Sequence, residues 1–413
     1  MDMRVNPSQK MRLVMVGNGM AGIRAIEELL ALAPDLYQIE VYGAEPHPNY
    51  NRILLSPVLA GEQKLEEIIL NDWDWYRQHQ ITLNAGFKVT QIDRIKRRIT
   101  AVNAQGETRI SEYDRLVLAT GSDPFMLPIE GKDLPGVLAY RDIADTQAMI
   151  DAAAQYREAV VIGGGLLGLE AANGLMKRGM KVTVVHATDW LMERQLDRQA
   201  GQMLQASLQS RGMDFKMNAL TQALRPGPDG RVQSVQFKDG SELPAQLVVM
   251  AVGIRPNTQL AQDMGLLVNR GIVVSDTLQT VTDPRIWALG ECVAHRGVAY
   301  GLVAPLFEQA KVLANHLAEF GIARYTGSQT STKLKVTGID LFSAGEFMGG
   351  PESDEIVMSD VTAGVYKKLV LQNGRLVGAC LYGDTVDGSW YFKLIREGRD
   401  VSDIRDRLMF GEF

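Results

Sequence analysis

Apolar positions along the chain switch between two periods. Residues Leu13-Val14-Met15-Val16 form a short unbroken apolar run, which stops at Gly17-Asn18-Gly19-Met20-Ala21-Gly22. Beyond the glycines, Ile23, Ile26, Leu29 and Leu30 recur at helical spacing. A strand, a tight turn and a helix are expected there. The same pattern returns later: Ala159-Val160-Val161-Ile162 enters Gly163-Gly164-Gly165-Leu166-Leu167-Gly168, and Ala171, Ala172, Leu175 and Met176 carry a helix that stops at Lys177-Arg178-Gly179. Each copy leads into a second strand, at residues 39–42 and 182–185.

Between the copies, residues 65–78 read as one amphipathic helix whose Trp73, Trp75 and Tyr76 pack rather than stack on a ligand. Residues 81–87 and 88–93 are strand-like, and 95–102 with the segment before Tyr113 suggest a β-meander. An apolar strand then ends in Ala119-Thr120-Gly121, and the proline- and glycine-rich stretch 123–137 is the natural crossing into a second domain. Residues 234–241 alternate into a turn, and a buried strand over 247–257 ends at Gly253, mirroring the earlier Ala-Thr-Gly. A short strand within 283–292 ends in Gly290-Glu291 and precedes a helix at 305–320. Strands at 332–347, 355–358, 366–372 and 375–382, with a helix at 388–397, suggest a separate α+β domain. The expected fold is α/β, with two Rossmann-like dinucleotide-binding domains, the first discontinuous (11–123 and 251–325), the second at 124–250, and a small C-terminal domain at 326–413.

Composition narrows the function classes. The net charge of −6 with no long basic run argues against a nucleic-acid partner. No stretch approaches the roughly 20 apolar residues of a membrane span, and the first ten residues are polar, a loose tail rather than an export signal. Only two cysteines occur, Cys292 and Cys380, far apart. A Cys-x-x-Cys redox disulfide is therefore excluded, as is an iron–sulfur cluster held within this stretch of chain, which needs about four ligands. A reduced, cytoplasmic setting is expected. The five histidines show no metal-like spacing, so no metal site is expected.

Two glycine turns, each between a strand and a helix, are the fingerprint of pyrophosphate binding at a helix N-terminus. Gly17 and Gly163 permit the turn, Gly19 and Gly165 let backbone approach phosphate, and Gly22 and Gly168 let helix lie on strand. Two dinucleotides in one chain imply hydride transfer between them. Glu45 is the nearest acid beyond the second strand and is assigned a ribose; the alternative is an exposed loop carboxylate. Arg52 offers a planar fork to phosphate oxygens, or else a surface ion pair. Glu291 can accept from flavin ribityl hydroxyls, its alternative being a surface acid. Cys292 is expected to be a small buried thiol, since no base accompanies it.

Several motifs occur together and in order: Gly-Asn-Gly-Met-Ala-Gly, Tyr50-Asn51-Arg52, Ala-Thr-Gly-Ser, Gly-Gly-Gly-Leu-Leu-Gly-Leu-Glu, Gly253-Ile254-Arg255-Pro256-Asn257 and Ala288-Leu289-Gly290-Glu291-Cys292. In this the chain resembles the pyridine-nucleotide–disulfide oxidoreductases. More narrowly, Leu191-Met192-Glu193-Arg194-Gln195-Leu196-Asp197, Gly301-Leu302-Val303-Ala304-Pro305 and Ser331-Thr332-Lys333-Leu334-Lys335 resemble the large subunit of assimilatory NAD(P)H-nitrite reductase and the electron-transfer subunits of assimilatory nitrate reduction, with rubredoxin and ferredoxin reductases as relatives. The resemblance implies FAD held by Gly17, Gly19, Met20, Ala21, Gly22, Glu45, Arg52, Val89, Ala119, Thr120, Gly121, Gly290 and Glu291. It implies NADH or NADPH held by Gly163, Gly165, Leu166, Gly168, Glu170, His186, Arg194 and Gly253, with Glu170 meeting the nicotinamide carboxamide. Glu170 as a helix-packing or solvated glutamate is the alternative. No acid–base catalyst is assigned, because hydride transfer needs alignment.

Three departures from that family shape the expectation. Its nitrite reductases continue into cysteine-rich and sirohaem domains, so electrons here are expected to leave for an iron–sulfur or sirohaem partner, in trans or in a longer chain. Relatives often carry a lysine after the Leu-Ser near the flavin, where this chain has Ser56-Pro57. The second nucleotide strand ends in His186 rather than an acid. Competing expectations are a rubredoxin or ferredoxin reductase of another pathway and a flavoprotein that senses NAD(P)H with little turnover. An NADH oxidase is disfavoured, because no cysteine precedes Cys292.

Overall fold

The computed structural model describes residues 10–336 and 338–412; the expected N-terminal tail lies, but for Lys10, outside them. Two units emerge, each from three pieces of chain: 1–53, 65–123 and 254–328 in the first, and 54–64, 124–253 and 329–413 in the second.

The first unit is built on a five-stranded parallel sheet in the spatial order Ile286–Ala288, Arg115–Leu118, Met11–Val16, Tyr37–Gly43, Thr82–Ala85. Its central strands read as continuous apolar runs because both faces are covered. Leu13, Val14 and Met15 are fully buried, as are Leu116, Val117 and Leu118. The helices Met20–Leu32 and Val303–Leu317 pack against each other, each turning an apolar stripe inward. An antiparallel meander, Lys88–Asp93, Arg98–Val102 and Thr108–Glu112, comes after the fifth strand of the sheet in sequence.

The second unit repeats four strands of this order, as Leu247–Met250, Glu158–Ile162, Lys181–Val185 and Asp214–Lys216, but its edge strand Val137–Leu138 precedes the others in the chain where Ile286–Ala288 follows them; all are parallel. Its antiparallel insertion comprises Thr221–Pro226, Val232–Phe237 and Glu242–Pro244. The same unit carries the C-terminal antiparallel sheet, in the order Ser331–Val336, Ile339–Gly345, Arg375–Tyr382, Val365–Gln372, Asp354–Asp360. The helix Gly388–Glu397 covers it, with Tyr391 fully buried.

Two expected elements differ: the run over 247–257 gives the buried strand Leu247–Met250 and, beyond Gly253, a separate short strand Ile254–Pro256 with Ile254 and Arg255 exposed, and the helix expected over 65–78 is replaced. Residues 65–78 form a 3-10 turn Leu65–Ile68, a strand Ile69–Asn71 and a helix Trp73–Gln78. Asp72 breaks the run, because its carboxylate accepts from the Trp75 N–H at 2.8 Å and so starts a new helix. The strand pairs with Asn49–Tyr50. Tyr76 is buried and meets Trp75 edge-on, as a packing role requires, whereas Trp73 is 49% exposed.

Candidate functional site: two glycine turns

In the first unit, Gly17 follows the strand Met11–Val16 with φ +117°, a conformation that L side chains rarely adopt. A Cβ there would run into the Ala119 carbonyl oxygen. Its N–H donates to Tyr42 O at 2.8 Å, and the Ala119 N–H donates to Val16 O at 2.8 Å, so the turn is tied to both neighbouring strands. Gly22 is close-packed, since a Cβ would lie 3.0 Å from Gly17 O and 3.1 Å from the Ala119 Cβ. Gly19 differs: it is the N-cap of the helix Met20–Leu32, no side chain caps that end, and a Cβ on it would meet nothing within 4 Å. The first N–H groups of the helix, which begins at Met20 and Ala21, thus have no side-chain cap, and the space beside Gly19 is open.

Asn18, which the fingerprint leaves free to vary, fastens this turn. Its Nδ2 donates to His47 O at 3.1 Å, its Oδ1 accepts from Tyr76 Oη at 2.7 Å, and its carbonyl accepts from Asn49 Nδ2 at 3.2 Å. Beyond the second strand, Glu45 and Arg52 form an ion pair with each other. Tyr50 Oη donates to the other Glu45 oxygen at 2.7 Å, and the Arg52 guanidinium lies 5.0 Å over the Tyr50 ring. These two candidates come together as one cluster. Val89 is buried in the strand Lys88–Asp93, opposite Ala101.

Thr120 Oγ1 donates to Asn257 O at 2.7 Å, and Gly121 O accepts from the Asn257 N–H at 2.9 Å. The Ala-Thr-Gly turn is thereby bound to the residue just after the short strand Ile254–Pro256. Gly290, at φ +91°, donates its N–H to the buried Gln309 Oε1 at 2.9 Å. A Cβ on Gly290 would sit 3.3 Å from the Cβ of Ala21, so this second loop closes on the first turn of the glycine helix. Glu291 accepts from Ser122 Oγ at 2.6 Å. Cys292 is buried, its Sγ 3.3 Å from Leu289 O, and burial pushes its thiol pKa up.

The second unit repeats the geometry. Gly163 has φ +123°, donates to Val185 O at 2.8 Å, and would meet Ala251 O if it carried a Cβ. A Cβ on Gly168 would run into Gly163 O. Gly165 is the uncapped N-cap of the helix Leu166–Lys177, with open space around its Cα. Gly253, at φ +115°, is equally open.

His186 has a different place from the one its position suggested. Its side chain is 8% exposed and lies under the turn, where Nδ1 accepts from the Gly164 N–H at 3.0 Å. That bond assigns the ring proton to Nε2, which is 2.8 Å from Thr188 Oγ1 and 3.1 Å from Glu193 Oε2. The imidazole therefore supports the turn from beneath and does not project to a ribose. Arg194 is exposed and forms no ion pair among the described residues. Glu170, in the second turn of the helix, accepts from Ser56 Oγ at 2.7 Å. Burial raises its pKa, and the Ser56 hydrogen bond partly opposes that.

Sequence reasoning gave no site role to Asn18, Gln309 or Tyr140, whose Oη donates to Ser56 Oγ at 3.2 Å, read Tyr76 as packing alone, and noted Ser56 only for the lysine that follows it in relatives. For Asn18 the only signal was its place between two fingerprint glycines.

Two parallel sheets that share a four-strand order, each with an uncapped glycine turn after a central strand, define an α/β protein with two Rossmann-like units. The chain belongs to the pyridine nucleotide-disulphide oxidoreductase family, whose model matches residues 11–316. Residues 331–399 match the rubredoxin NAD+ reductase C-terminal domain. The chain is 52% identical over 394 residues to the nitrite reductase [NAD(P)H] of Bacillus subtilis, covering 95% of this chain and 48% of that protein. It is 45% identical over 404 residues to the assimilatory nitrate reductase electron transfer subunit of the same organism, covering 98% of this chain and 52% of that protein. It thus spans about half the length of these relatives. Among solved structures, putidaredoxin reductase in its covalent complex with putidaredoxin superposes with a TM-score of 0.84 at 27% identity, over 94% of each chain.

Proposed function

We propose that this chain is an NAD(P)H-dependent flavoprotein reductase that supplies electrons to an iron–sulfur or sirohaem acceptor in nitrite or nitrate assimilation. One observation carries the cofactor assignment: Gly19 and Gly165 each begin a helix with no side-chain cap and open space, while the glycines beside them are packed too tightly to accept a Cβ. A helix end left bare in this way suits an anion, which satisfies its N–H groups and its dipole. The residues therefore fit two pyrophosphates.

FAD falls to the first unit, with Gly17, Gly19, Met20, Ala21 and Gly22 at the pyrophosphate. Ala119, Thr120 and Gly121 line its approach, Gly290 and Glu291 take the ribityl side, Val89 the adenine side, and the Glu45–Arg52 pair the adenosine ribose and phosphate. NAD(P)H falls to the second, with Gly163, Gly165, Leu166 and Gly168 at the pyrophosphate, Gly253 beside it and Glu170 at the carboxamide. His186 shapes the turn, and Arg194 is a cation for the adenosine end. When bound, the flavin supplies the conversion of a two-electron hydride into single electrons. The protein's own part is to bind, orient and exclude water; no side chain is assigned a proton. On this reading 11–123 and 251–325 serve the flavin, 124–250 the nicotinamide nucleotide, and 326–413 the C-terminal domain.

The likeness of residues 331–399 to the rubredoxin reductase C-terminal domain supports a second acceptor, a rubredoxin or ferredoxin. Anaerobic stopped-flow tests both readings. FAD-loaded protein should lose its yellow absorbance on mixing with NADH or NADPH and regain it with an iron–sulfur acceptor. Protein that takes up no FAD, or flavin that neither nucleotide bleaches, would overturn the proposal. Fast reoxidation by rubredoxin but not by nitrite reductase iron–sulfur domains would favour the second acceptor.

A further inference from the structure

The second unit contains a chain of three hydroxyl and carboxyl groups from segments far apart in sequence. Tyr140 Oη donates to Ser56 Oγ at 3.2 Å, and Ser56 Oγ donates to Glu170 Oε2 at 2.7 Å. Tyr140 is 1% exposed. Among the described residues no lysine or arginine pairs with Glu170, so Ser56 is the group that satisfies this half-buried carboxyl. A hydroxyl has one proton to give. Because Tyr140 occupies an acceptor position of Ser56 Oγ, the serine proton is committed to Glu170, and each bond strengthens the next. The short helix Leu55–Leu59 packs on the helix Leu166–Lys177 and on Ile143–Gln155, which fixes Ser56 relative to Glu170. The result is a carboxyl held by one oxygen, with Oε1 left to accept elsewhere.

We propose that Ser56 and Tyr140 are positioning residues, which hold Glu170 by Oε2 so that Oε1 accepts the amide N–H of a bound nicotinamide carboxamide. This rests on the nicotinamide reading of the second unit. The relay does for Glu170 what a cationic partner would do, but without a charge. It therefore orients the carboxyl without placing a positive charge beside the incoming nucleotide. Its consequence is selective: the relay acts on the carboxamide and not on the pyrophosphate, which Gly163, Gly165 and Gly168 hold independently.

The test uses FAD-loaded full chain and two ligands, NAD(P)H and ADP-ribose, the latter sharing the pyrophosphate but lacking the carboxamide. In S56A the apparent Kd for NAD(P)H in flavin reduction should rise about fivefold and in Y140F about two- to threefold, as expected for loss of one hydrogen bond directly or at one remove. ADP-ribose inhibition should be unchanged in both. S56T, which keeps the hydroxyl, should stay near wild type, and S56A should add nothing in an E170A background. Equal weakening of ADP-ribose, or no change in NAD(P)H affinity in Y140F and S56A, would overturn the relay while leaving the reductase reading intact. If S56A does not fold, Y140F and S56T decide by the same comparison. Failure of NAD(P)H to bleach the wild-type flavin would instead remove the reductase reading and the relay with it.

Discussion

Tyr366 Oη donates to Asp197 Oδ2 at 2.5 Å, so the C-terminal sheet and the helix Arg198–Ser210 share one buried carboxylate. The other Asp197 oxygen, Oδ1, caps that helix by accepting from the Ala200 N–H at 3.0 Å. Lys368 Nζ, on the same strand as Tyr366, lies 3.9 Å from Asp197 and 2.9 Å from Glu355. Asp197 ends the Leu191–Asp197 motif by which the chain resembles nitrite reductases, yet its visible work is to join two parts of the second unit. Y366F removes one bond and should cost about 1 kcal/mol. D197A removes the cap and leaves the buried Lys368 with one fewer anion, so about 3 kcal/mol is expected. Urea unfolding measures both, and D197A no worse than Y366F would contradict the shared role.

The four turn glycines should separate into two classes. In G17A and G168A a Cβ would run into a backbone carbonyl, and Gly17 also needs positive φ. Destabilisation of about 3 kcal/mol or more, or failure to fold, is expected. Gly19 and Gly165 have extended backbones that alanine adopts without strain, and their Cβ atoms would enter open space. G19A and G165A should therefore unfold within about 0.5 kcal/mol of wild type. Yet G19A should purify with less FAD, and G165A should weaken NAD(P)H by roughly tenfold, because the added methyl stands where phosphate approaches. Flavin absorbance per protein and nucleotide titration read these effects. Normal FAD content in G19A would place the pyrophosphate elsewhere.

Both strand–turn–helix units were legible because a buried parallel strand is apolar throughout, a helix is apolar at one face, and only glycine serves between them. The C-terminal strands were legible as apolar-rich runs divided by a turn at 373–374, and the antiparallel strands Val365–Gln372 and Arg375–Tyr382 are buried along most of their length. Residues 65–78 were not, because Ile68, Trp75 and Tyr76 imitate a helical stripe while the decisive event is the local bond from Asp72. Contacts between distant positions were invisible in principle. Ser56 is 114 residues from Glu170 and 84 from Tyr140, and no local period records such a meeting. His186 shows a further limit: position at a strand end was readable, but the direction of its ring, set by the Gly164 N–H, was not.

Acid should weaken the first unit through Asp114. Burial raises this carboxyl's pKa, but the backbone N–H of Arg12, at 2.8 Å, and the Arg12 guanidinium outweigh it and hold the group below its ordinary range. A depressed folded-state pKa means stability that is present above the unfolded value, near 4, and is lost as pH falls through the folded one. D114N keeps the shape and removes the charge. It should be about 1 kcal/mol less stable than wild type at pH 7, and the gap should narrow as pH falls from 5 toward 3. Urea midpoints across that range give the answer, and a gap independent of pH would mean that the amide, not the lost charge, is responsible.

The two thiols should be silent in the folded protein. Thiolate, not thiol, attacks disulfide reagents, so both access and pKa matter. Cys292 is fully buried, with Sγ directed at the Leu289 and Leu118 carbonyl oxygens, and burial pushes its pKa up. Cys380 lies inside the C-terminal sheet opposite Ser343 and Lys368, and its pKa is pushed up to about 12, chiefly by burial and then by the charge of Asp197. At pH 8 the folded chain should release almost no thionitrobenzoate from Ellman's reagent, whereas guanidinium-unfolded chain should release two equivalents. Flavin reduction by NAD(P)H should also survive prior treatment with iodoacetamide. Rapid modification of the folded protein with parallel loss of flavin reduction would show that one thiol reaches the surface and takes part in electron transfer, which the buried position of both sulfurs argues against.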